Sequence, residues 1–350
     1  MSHPFTSLGL AHPIIQAPMA GTATPALAAA VCKAGGLGSI SIAAADIDTA
    51  RKMIRQLRAL TDKPFNVNVF CHQPSVANAQ VERAWLTHLA PFFAEFGQSA
   101  PAAIQDIYTT FRGSEAQLQL LLEERPAVVS FHLGLPEQGY IDALKAAGIM
   151  LFASATHLGE GLAAQAAGVD VVVAQGIEAG GHRGVFDPKA PDAQLPTLAL
   201  LEQLLKGLNT PVIAAGGLMD GGDIRRVLDM GAVAAQLGTA FVLCPESAAN
   251  PAYRRMLASE RAGTTALTEV ISGRPARGMV NRFMREVGAA GHPLVPDFGI
   301  AYNAGKQLSE AASKAGSDEF SPFWAGQQAL RARAMPAGEL MAVLVGEYGG

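Results

Sequence analysis

The stretch IMLFASATHLGEGLAAQAAGVDVVVAQ, residues 149–175, has the pattern of a strand, a helix and a second strand. Its two ends, 149–155 and 169–175, are almost continuously apolar, which is typical of parallel strands buried on both faces. The Ala-rich segment between them, 159–167, favours a helix. Eight such runs alternating with helical segments predict an α/β fold, a (β/α)₈ or TIM barrel. The other six runs lie at 13–17, 37–42, 65–70, 127–132, 211–216 and 234–241.

The chain is longer than one barrel needs, since it has 350 residues and such a barrel commonly takes about 250. We predict a barrel over residues 1–242 and a C-terminal region, 243–350, that covers the active site and returns to the barrel. Residues 71–125 are predicted to be a helical excursion, with helical patterns at 74–97 and 102–124 that exceed an ordinary crossover. With a late helical pattern at 303–315, the excursion and the C-terminal region are expected to build a smaller helical domain over the substrate.

The composition excludes two classes of partner. Lys and Arg number 26 against 30 Asp and Glu, and the net charge of −4 gives no basic field for nucleic acid or an anionic membrane surface. The sequence shows no signal-peptide pattern and no apolar run long enough to span a membrane, which predicts a cytoplasmic protein. Cys32, Cys71 and Cys244 lie far apart without metal-ligand spacing, so we expect buried free thiols and no metal site.

The carboxyl ends of the predicted strands carry polar and glycine residues, and barrel active sites lie at these ends. Gly216-Gly217 follows the seventh strand, and Gly238-Thr239 lies in the eighth. Their backbone N–H groups can point at an anion, which makes this pair of turns the usual phosphate site of such barrels. For either turn alone, a tight turn without a ligand is the alternative. Other strand ends carry further candidates for ligand contact: Ala17, Pro18, Met19, Asn68 and Gln175.

Residues 175–184, QGIEAGGHRG, contain four glycines just past the sixth strand. Such a loop, with Gly180 and Gly181, can pack its backbone against a flat ligand. His182 and Arg183 can donate hydrogen bonds to phosphate, carbonyl or carboxylate groups. A flexible surface loop closed by a charged residue is the alternative, but the position at the active end of the barrel favours ligand binding.

His132 is the candidate catalytic residue, because it ends the apolar strand Val128-Val129-Ser130-Phe131 and precedes a Gly/Pro-containing turn. An imidazole with an ordinary pKa near 6.5 suits the removal of a moderately acidic carbon-bound proton at neutral pH. The alternative is a neutral histidine of the core, which is common for a histidine in a strand.

These motifs together resemble the class I nitronate monooxygenases, formerly called 2-nitropropane dioxygenases, which are FMN-dependent barrels. The resemblance rests on residues 16–21, 66–70, 131–136, 178–184 and 272–278 and covers most of the chain. It implies that FMN lies across the barrel mouth and that His132 is the base near the substrate carbon. The implied phosphate contacts are Gly216, Gly217, Gly238 and Thr239, and the implied contacts of the rest of FMN are Ala17, Pro18, Met19, Asn68, Gln175, Gly180 and Gly181. The implied substrate contacts are His182, Tyr302, Lys306 and Tyr108.

The implied reaction is oxidation of an alkyl nitronate, with propionate 3-nitronate expected, by O₂ through a flavin semiquinone to a carbonyl compound and nitrite. With a neutral nitroalkane, His132 would first remove the α-proton. The main alternative is an FMN-dependent NAD(P)H enoyl or quinone reductase, and another is a phosphate-binding barrel without flavin. Lys306 is open to three roles, as a contact of the substrate carboxylate, a partner of anionic flavin or a helix cap. Arg274 and Arg277 either bridge loops or contact ligand, and the protein is expected to be a monomer or a homodimer.

Overall fold

The computed structural model of the chain describes residues 8–349. Its strands are β1 (Ile14–Gln16), β2 (Gly38–Ser41), β3 (Phe65–Phe70), β4 (Val128–His132), β5 (Met150–Ala155), β6 (Val171–Gln175), β7 (Gly181–His182), β8 (Val212–Ala215), β9 (Ala234–Leu237), β10 (Thr265–Thr268) and β11 (Ala276–Met279). The helices are α1 (Pro25–Lys33), α2 (Ile47–Leu60), α3 (Ala79–Glu95), α4 (Glu115–Glu124), α5 (Gln138–Ala146), α6 (Leu158–Ala166), α7 (Thr197–Gly207), α8 (Gly221–Asp229), α9 (Pro251–Leu257), α10 (Ile300–Lys314) and α11 (Ala337–Gly349).

Eight parallel strands form the predicted barrel, in the order β1-β9-β8-β6-β5-β4-β3-β2. Leu37 closes the ring between β1 and β2, because its N–H donates to Ile14 O at 2.9 Å and its O accepts from Gln16 N at 3.0 Å. The last barrel strand is shorter than predicted. It ends at Leu237, and a 3₁₀ turn over Thr239–Phe241 follows, with Phe241 N donating to Gly238 O.

The strands alternate between two buried faces, as their apolar runs require. One set of alternate residues, including Val128, Phe152, Val171 and Ile213, forms an apolar cluster inside the barrel. The other set packs against the surrounding helices in the largest core cluster. On the inner face, the residues nearer the carboxyl ends include the polar side chains of Asn68, Ser130, Ser154, Gln175 and Gln236. The barrel therefore has an apolar base and a polar top.

The excursion divides into two parts. Helix α4 packs against α2 and α5 and so belongs to the ring of helices around the barrel, whereas α3 packs against α10. The helical pattern predicted over 102–124 is realised only from Glu115 onward. Residues before it are held by irregular contacts instead, since Phe111 N donates to Phe70 O at 2.7 Å and Asp106 Oδ1 accepts from Tyr108 N at 2.9 Å.

The C-terminal region does return to the barrel, because α11 packs against α1 and α8. It also adds β10 and β11, which pair antiparallel with each other and with the two-residue strand β7. The glycine loop after β6 is therefore held by a small sheet and is not a free surface loop. The boundary at residue 242 stays a prediction.

Two further expectations concern the whole chain. Cys32, Cys71 and Cys244 are buried free thiols, as predicted. Within residues 8–349, every helix falls short of the length and apolar character that a membrane crossing requires.

Candidate active site

An open cavity lies at the carboxyl ends of the barrel strands. It gathers the residues predicted from six strand ends, the excursion, the glycine loop and the C-terminal region. The predicted residues that line it are Ala17, Pro18, Met19, Asn68, Tyr108, His132, Gln175, Gly180, Gly181, His182, Gly216, Gly217, Gly238, Thr239 and Tyr302. Of the residues predicted to bind substrate, Lys306 does not line it.

The lining carries no fixed charge among the described residues, since it contains no Lys, Arg, Asp or Glu side chain. Its polar groups are hydroxyls, amides, imidazoles and backbone groups. An anion bound here would be held by neutral donors, and the nearby cations would act on it through space.

His132 is held at both ring nitrogens. Its Nε2 lies 3.1 Å from the backbone oxygen of His182, and its Nδ1 lies 2.9 Å from Ser154 Oγ. A carbonyl oxygen only accepts, so Nε2 carries the proton of the neutral ring and Nδ1 accepts from the serine hydroxyl. The tautomer of His132 is thereby fixed by the loop after β6.

Burial lowers the pKa of three histidines near the cavity, His72, His132 and His182, hereafter the histidine group. The pKa falls to about 4 for His72 and His132 and to about 3 for His182. Desolvation of the charged ring is the main cause, and the positive charge of Arg274 adds to it in all three. At neutral pH, His132 is therefore a neutral ring able to accept a proton.

The loop that fixes His132 is itself locked by Arg183. This guanidinium is fully buried and binds Asp192 through Nε at 2.8 Å and through a second nitrogen at 3.1 Å. It also donates to the backbone oxygens of Gln175 and Gly176. Gln175 Nε2 in turn donates to His182 O at 3.1 Å, and Gln175 Oε1 accepts from Gly184 N at 2.7 Å.

The interpretation of Arg183 as a ligand donor is therefore wrong, because its guanidinium donates to Asp192 and to the backbone oxygens of Gln175 and Gly176. The two arginines after Ser272 also donate to backbone oxygens of the protein. Arg274 donates to Val185 O, and Arg277 donates to Ile177 O at 3.0 Å, so both bridge loops from buried positions. Of the alternatives for Arg274 and Arg277, loop bridging is the observed one.

The glycines at the end of β8 form a bare backbone cradle. Gly216 and Gly217 have φ of 120° and 70°, which L side chains adopt only with strain. The register that pairs Ala215 with Gln236 directs the Gly216 N–H at Gln236 O, whereas the Gly217 N–H has no acceptor among the described residues. Thr239 lies in the same lining, and its Oγ1 accepts from Gly326 N at 3.0 Å. Bare backbone beside a cavity, with an unpaired N–H at Gly217, suits an anionic group.

Lys306 lies outside the cavity and contacts it through two rings. Its Nζ lies 4.9 Å from the ring centroid of Tyr302 and 5.4 Å from that of Tyr108, and both tyrosines line the cavity. Desolvation lowers the pKa of the ammonium group. Because Lys306 sits in the interior of α10, the helix-capping role is excluded.

Sequence reasoning missed several lining residues from the C-terminal region, chiefly Tyr253, Trp324 and Gln328. Trp324 Nε1 donates to Tyr302 OH at 3.2 Å, and Tyr253 OH donates to Trp324 O. No motif marks them. The one local signal is the rarity of Trp324, since the chain has only two tryptophans.

Comparison with known proteins gives a consistent answer. The family model described as nitronate monooxygenase matches residues 3–347. A nitronate monooxygenase of Paraburkholderia phytofirmans is 56% identical over 96% of this chain and 92% of its own, and one of Pseudomonas aeruginosa is 53% identical over 100% of both. The crystal structure of nitroalkane oxidase from Streptomyces ansochromogenes is 40% identical, covers 99% of this chain and 97% of its own, and superposes with a TM-score of 0.91. The chain belongs to the nitronate monooxygenase family of oxidoreductases.

Proposed function

We propose that this protein is an FMN-dependent monooxygenase that oxidises alkyl nitronates with O₂ to a carbonyl compound and nitrite, and that propionate 3-nitronate is a substrate. The observation that carries the proposal is that the neutral His132 and the glycine cradle open into one cavity. Family membership supports it, because the relatives above are named for nitronate or nitroalkane oxidation.

The residues present fit FMN. Gly216 and Gly217 would hold the phosphate against bare backbone that includes the unpaired N–H of Gly217, and Gly238 and Thr239 line the same cavity. Pro18, Met19, Asn68, Gln175, Gly180 and Gly181 line the part in which an isoalloxazine would lie, together with Ala17. The redox chemistry, oxidation of the nitronate and reduction of O₂, is supplied by FMN when it is bound.

His132 and its neighbours would orient the substrate. A nitronate carries its negative charge on two oxygens, and the donors nearest to His132 are neutral. When a neutral nitroalkane is offered, His132 would first accept its α-proton, since the ring is unprotonated at neutral pH. The lowered pKa makes the ring a weaker base than a free imidazole, so the proton transfer depends on how the site positions the substrate.

Lys306 would act on a substrate that carries a second negative charge. Its ammonium group lies against the rings of Tyr108 and Tyr302, which line the cavity. A carboxylate near these rings would gain from the cation without a direct ion pair. Tyr108, Tyr302 and His182 would then define the substrate end of the cavity.

The proposal is tested with the purified protein by absorbance and oxygen uptake. A flavin spectrum is expected, along with a change of that spectrum on anaerobic addition of propionate 3-nitronate, and O₂ consumption with nitrite release in air. NADH added anaerobically serves as the parallel arm and should leave the spectrum unchanged. Reduction by NADH alone would favour the reductase alternative, and a protein that neither holds nor takes up FMN would refute the proposal.

A further inference from the structure

Both ring nitrogens of His132 are directed at protein atoms. Nε2 donates to His182 O, and Nδ1 accepts from Ser154 Oγ. The only lone pair of the neutral ring is therefore covered by a hydroxyl. A proton on a substrate carbon in the cavity has no direct path to Nδ1 while this hydrogen bond exists.

Ser154 carries the hydroxyl that covers this lone pair, and it also lines the cavity. It is the fifth residue of β5, lines the cavity, and donates its only hydroxyl proton to His132. Among residues 8–349, no donor reaches Ser154 Oγ, so the oxygen still has lone pairs to accept a proton.

The ring has little freedom to turn away from this arrangement. A Cβ on Gly184 would lie 3.1 Å from His132 Cε1 and 3.1 Å from Ser154 Cβ, so the backbone of Gly184 packs closely against the pair. Rotation of the imidazole would also break the hydrogen bond to His182 O. The Ser154–His132 pair is thus fixed as a unit.

We propose that Ser154 relays the α-proton of a nitroalkane to His132. The substrate C–H bond breaks, and its electron pair stays on the substrate as the nitronate. The proton forms a new O–H bond at Ser154 while the former hydroxyl proton moves to His132 Nδ1. No electron is transferred, and the resulting imidazolium keeps its Nε2–H bond to His182 O. The inference rests on the proposed function, since it concerns a substrate of that same cavity.

The test measures proton removal apart from oxidation. α-Deuterated nitroethane is incubated anaerobically with the holoprotein in H₂O, and loss of deuterium is followed by NMR. Oxidation of preformed ethyl nitronate is measured in parallel, because that substrate has no proton to lose. The variants are Ser154→Ala, which removes the relay, and Ser154→Thr, which keeps a hydroxyl. Flavin content and thermal midpoint establish that each variant is folded and loaded.

Ser154→Ala should slow deuterium loss by about 100-fold or more while nitronate oxidation stays within about threefold, and Ser154→Thr should restore most of the exchange. Ser130→Ala is the matched control. Ser130 also lines the cavity, but its hydroxyl accepts from Asn68 and does not reach His132. It should leave the ratio of exchange to nitronate oxidation unchanged.

A second readout separates a relay from a structural role. The relay moves a hydroxyl proton in the same step, so wild-type exchange should show a solvent isotope effect that the residual reaction of Ser154→Ala lacks. Wild-type exchange in Ser154→Ala would overturn the relay, and so would a wild-type protein that oxidises nitronate but exchanges no deuterium. Failure of wild-type protein to oxidise nitronate would instead overturn the proposed function, and a Ser154-dependent exchange would still support the relay.

Discussion

Gly180 is the point at which the glycine loop touches the C-terminal segment 324–328. A Cβ on Gly180 would lie 2.5 Å from Ala325 C and Gly326 N, whereas ordinary Cβ contacts begin near 3.4 Å. The change Gly180→Ala therefore forces the two backbones apart by about 0.9 Å. Backbone atoms cannot swing aside as the end of a side chain can, so the separation must be taken up by the loop or by the segment.

The separation would lengthen hydrogen bonds that hold the segment 324–328 in place. Gln327 N donates to Glu178 O at 3.0 Å, and Gly326 N donates to Thr239 Oγ1 at 3.0 Å. A shift of about 0.9 Å takes at least the first beyond hydrogen-bond range. With about 1 kcal/mol for that bond and 1–3 kcal/mol for overpacking, the free energy of unfolding should fall by about 2–4 kcal/mol. Because Thr239 is a proposed phosphate contact, FMN should bind about 10-fold more weakly or worse.

Two assays check this prediction: urea unfolding of the apoprotein and titration of apoprotein with FMN, followed by quenching of flavin fluorescence. Gly139→Ala is the control, because Gly139 lies in the first turn of α5 and a Cβ there meets open space. It should leave both quantities unchanged or raise stability slightly. A Gly180→Ala protein with wild-type FMN affinity and unfolding midpoint would refute the reasoning from contact distances.

Three further predictions follow from the site. His132→Asn should lose about 100-fold or more in kcat/KM on nitroalkanes and far less on preformed nitronates, and equal loss on both would contradict the role of base. Asp192→Asn should lower the free energy of unfolding in urea by about 3 kcal/mol, because it leaves the buried charge of Arg183 unpaired. Glu202→Gln, which breaks the exposed pair with Lys206, is its control and should change little. Stability should also fall between pH 6.5 and 4, because the unfolded chain takes up protons that the histidine group, with pKa near 3 to 4, refuses when folded. Each such group contributes up to about 1.4 kcal/mol per pH unit, and thermal melts that are flat from pH 7 to 5 would contradict this.

The barrel could be predicted from the sequence because its signals are local. Each strand is a short apolar run, and each run lies within a residue or two of the observed strand, except the last. That run was predicted over 234–241, and β9 ends at Leu237, because residues beyond it turn into a 3₁₀ helix and keep their apolar side chains buried. Apolar periodicity reports burial, and burial continues after the strand has ended.

The glycine sites could be predicted for a related reason. A fixed position at the end of a strand together with a missing side chain is enough to mark a close approach of backbone to ligand. Arg183 shows the limit of this argument. Its charge could face a ligand or a carboxylate, and the sequence does not say that Asp192, nine residues later, folds back onto it.

The hydrogen bond between Ser154 and His132 could not be predicted from the sequence, because it depends on the register of two strands. Phe131 lies opposite Ala153 in the β4–β5 pair, which brings the next residues, His132 and Ser154, side by side on the inner face. Register in a parallel sheet is set by packing across the whole barrel, so no local motif gives it. Trp324 and Tyr253 reach the cavity through tertiary contacts of the C-terminal region, which no local motif predicts either.

The charges around the cavity explain why a lining without fixed charge suits the proposed reaction. Arg274 is buried without an ion pair among the described residues, its Nε has no acceptor, and its charge acts on all three residues of the histidine group. Its positive field opposes protonation of His132 and, through the same Coulomb interaction, favours negative charge in the cavity. A cation within the lining would instead form an ion pair with the bound substrate in the ground state, and the substrate would screen its charge. Because the charge of Arg274 lies outside the lining, it keeps His132 neutral and also favours an anion in the cavity. The nitroalkane requires the neutral base, and the nitronate requires a site that favours an anion.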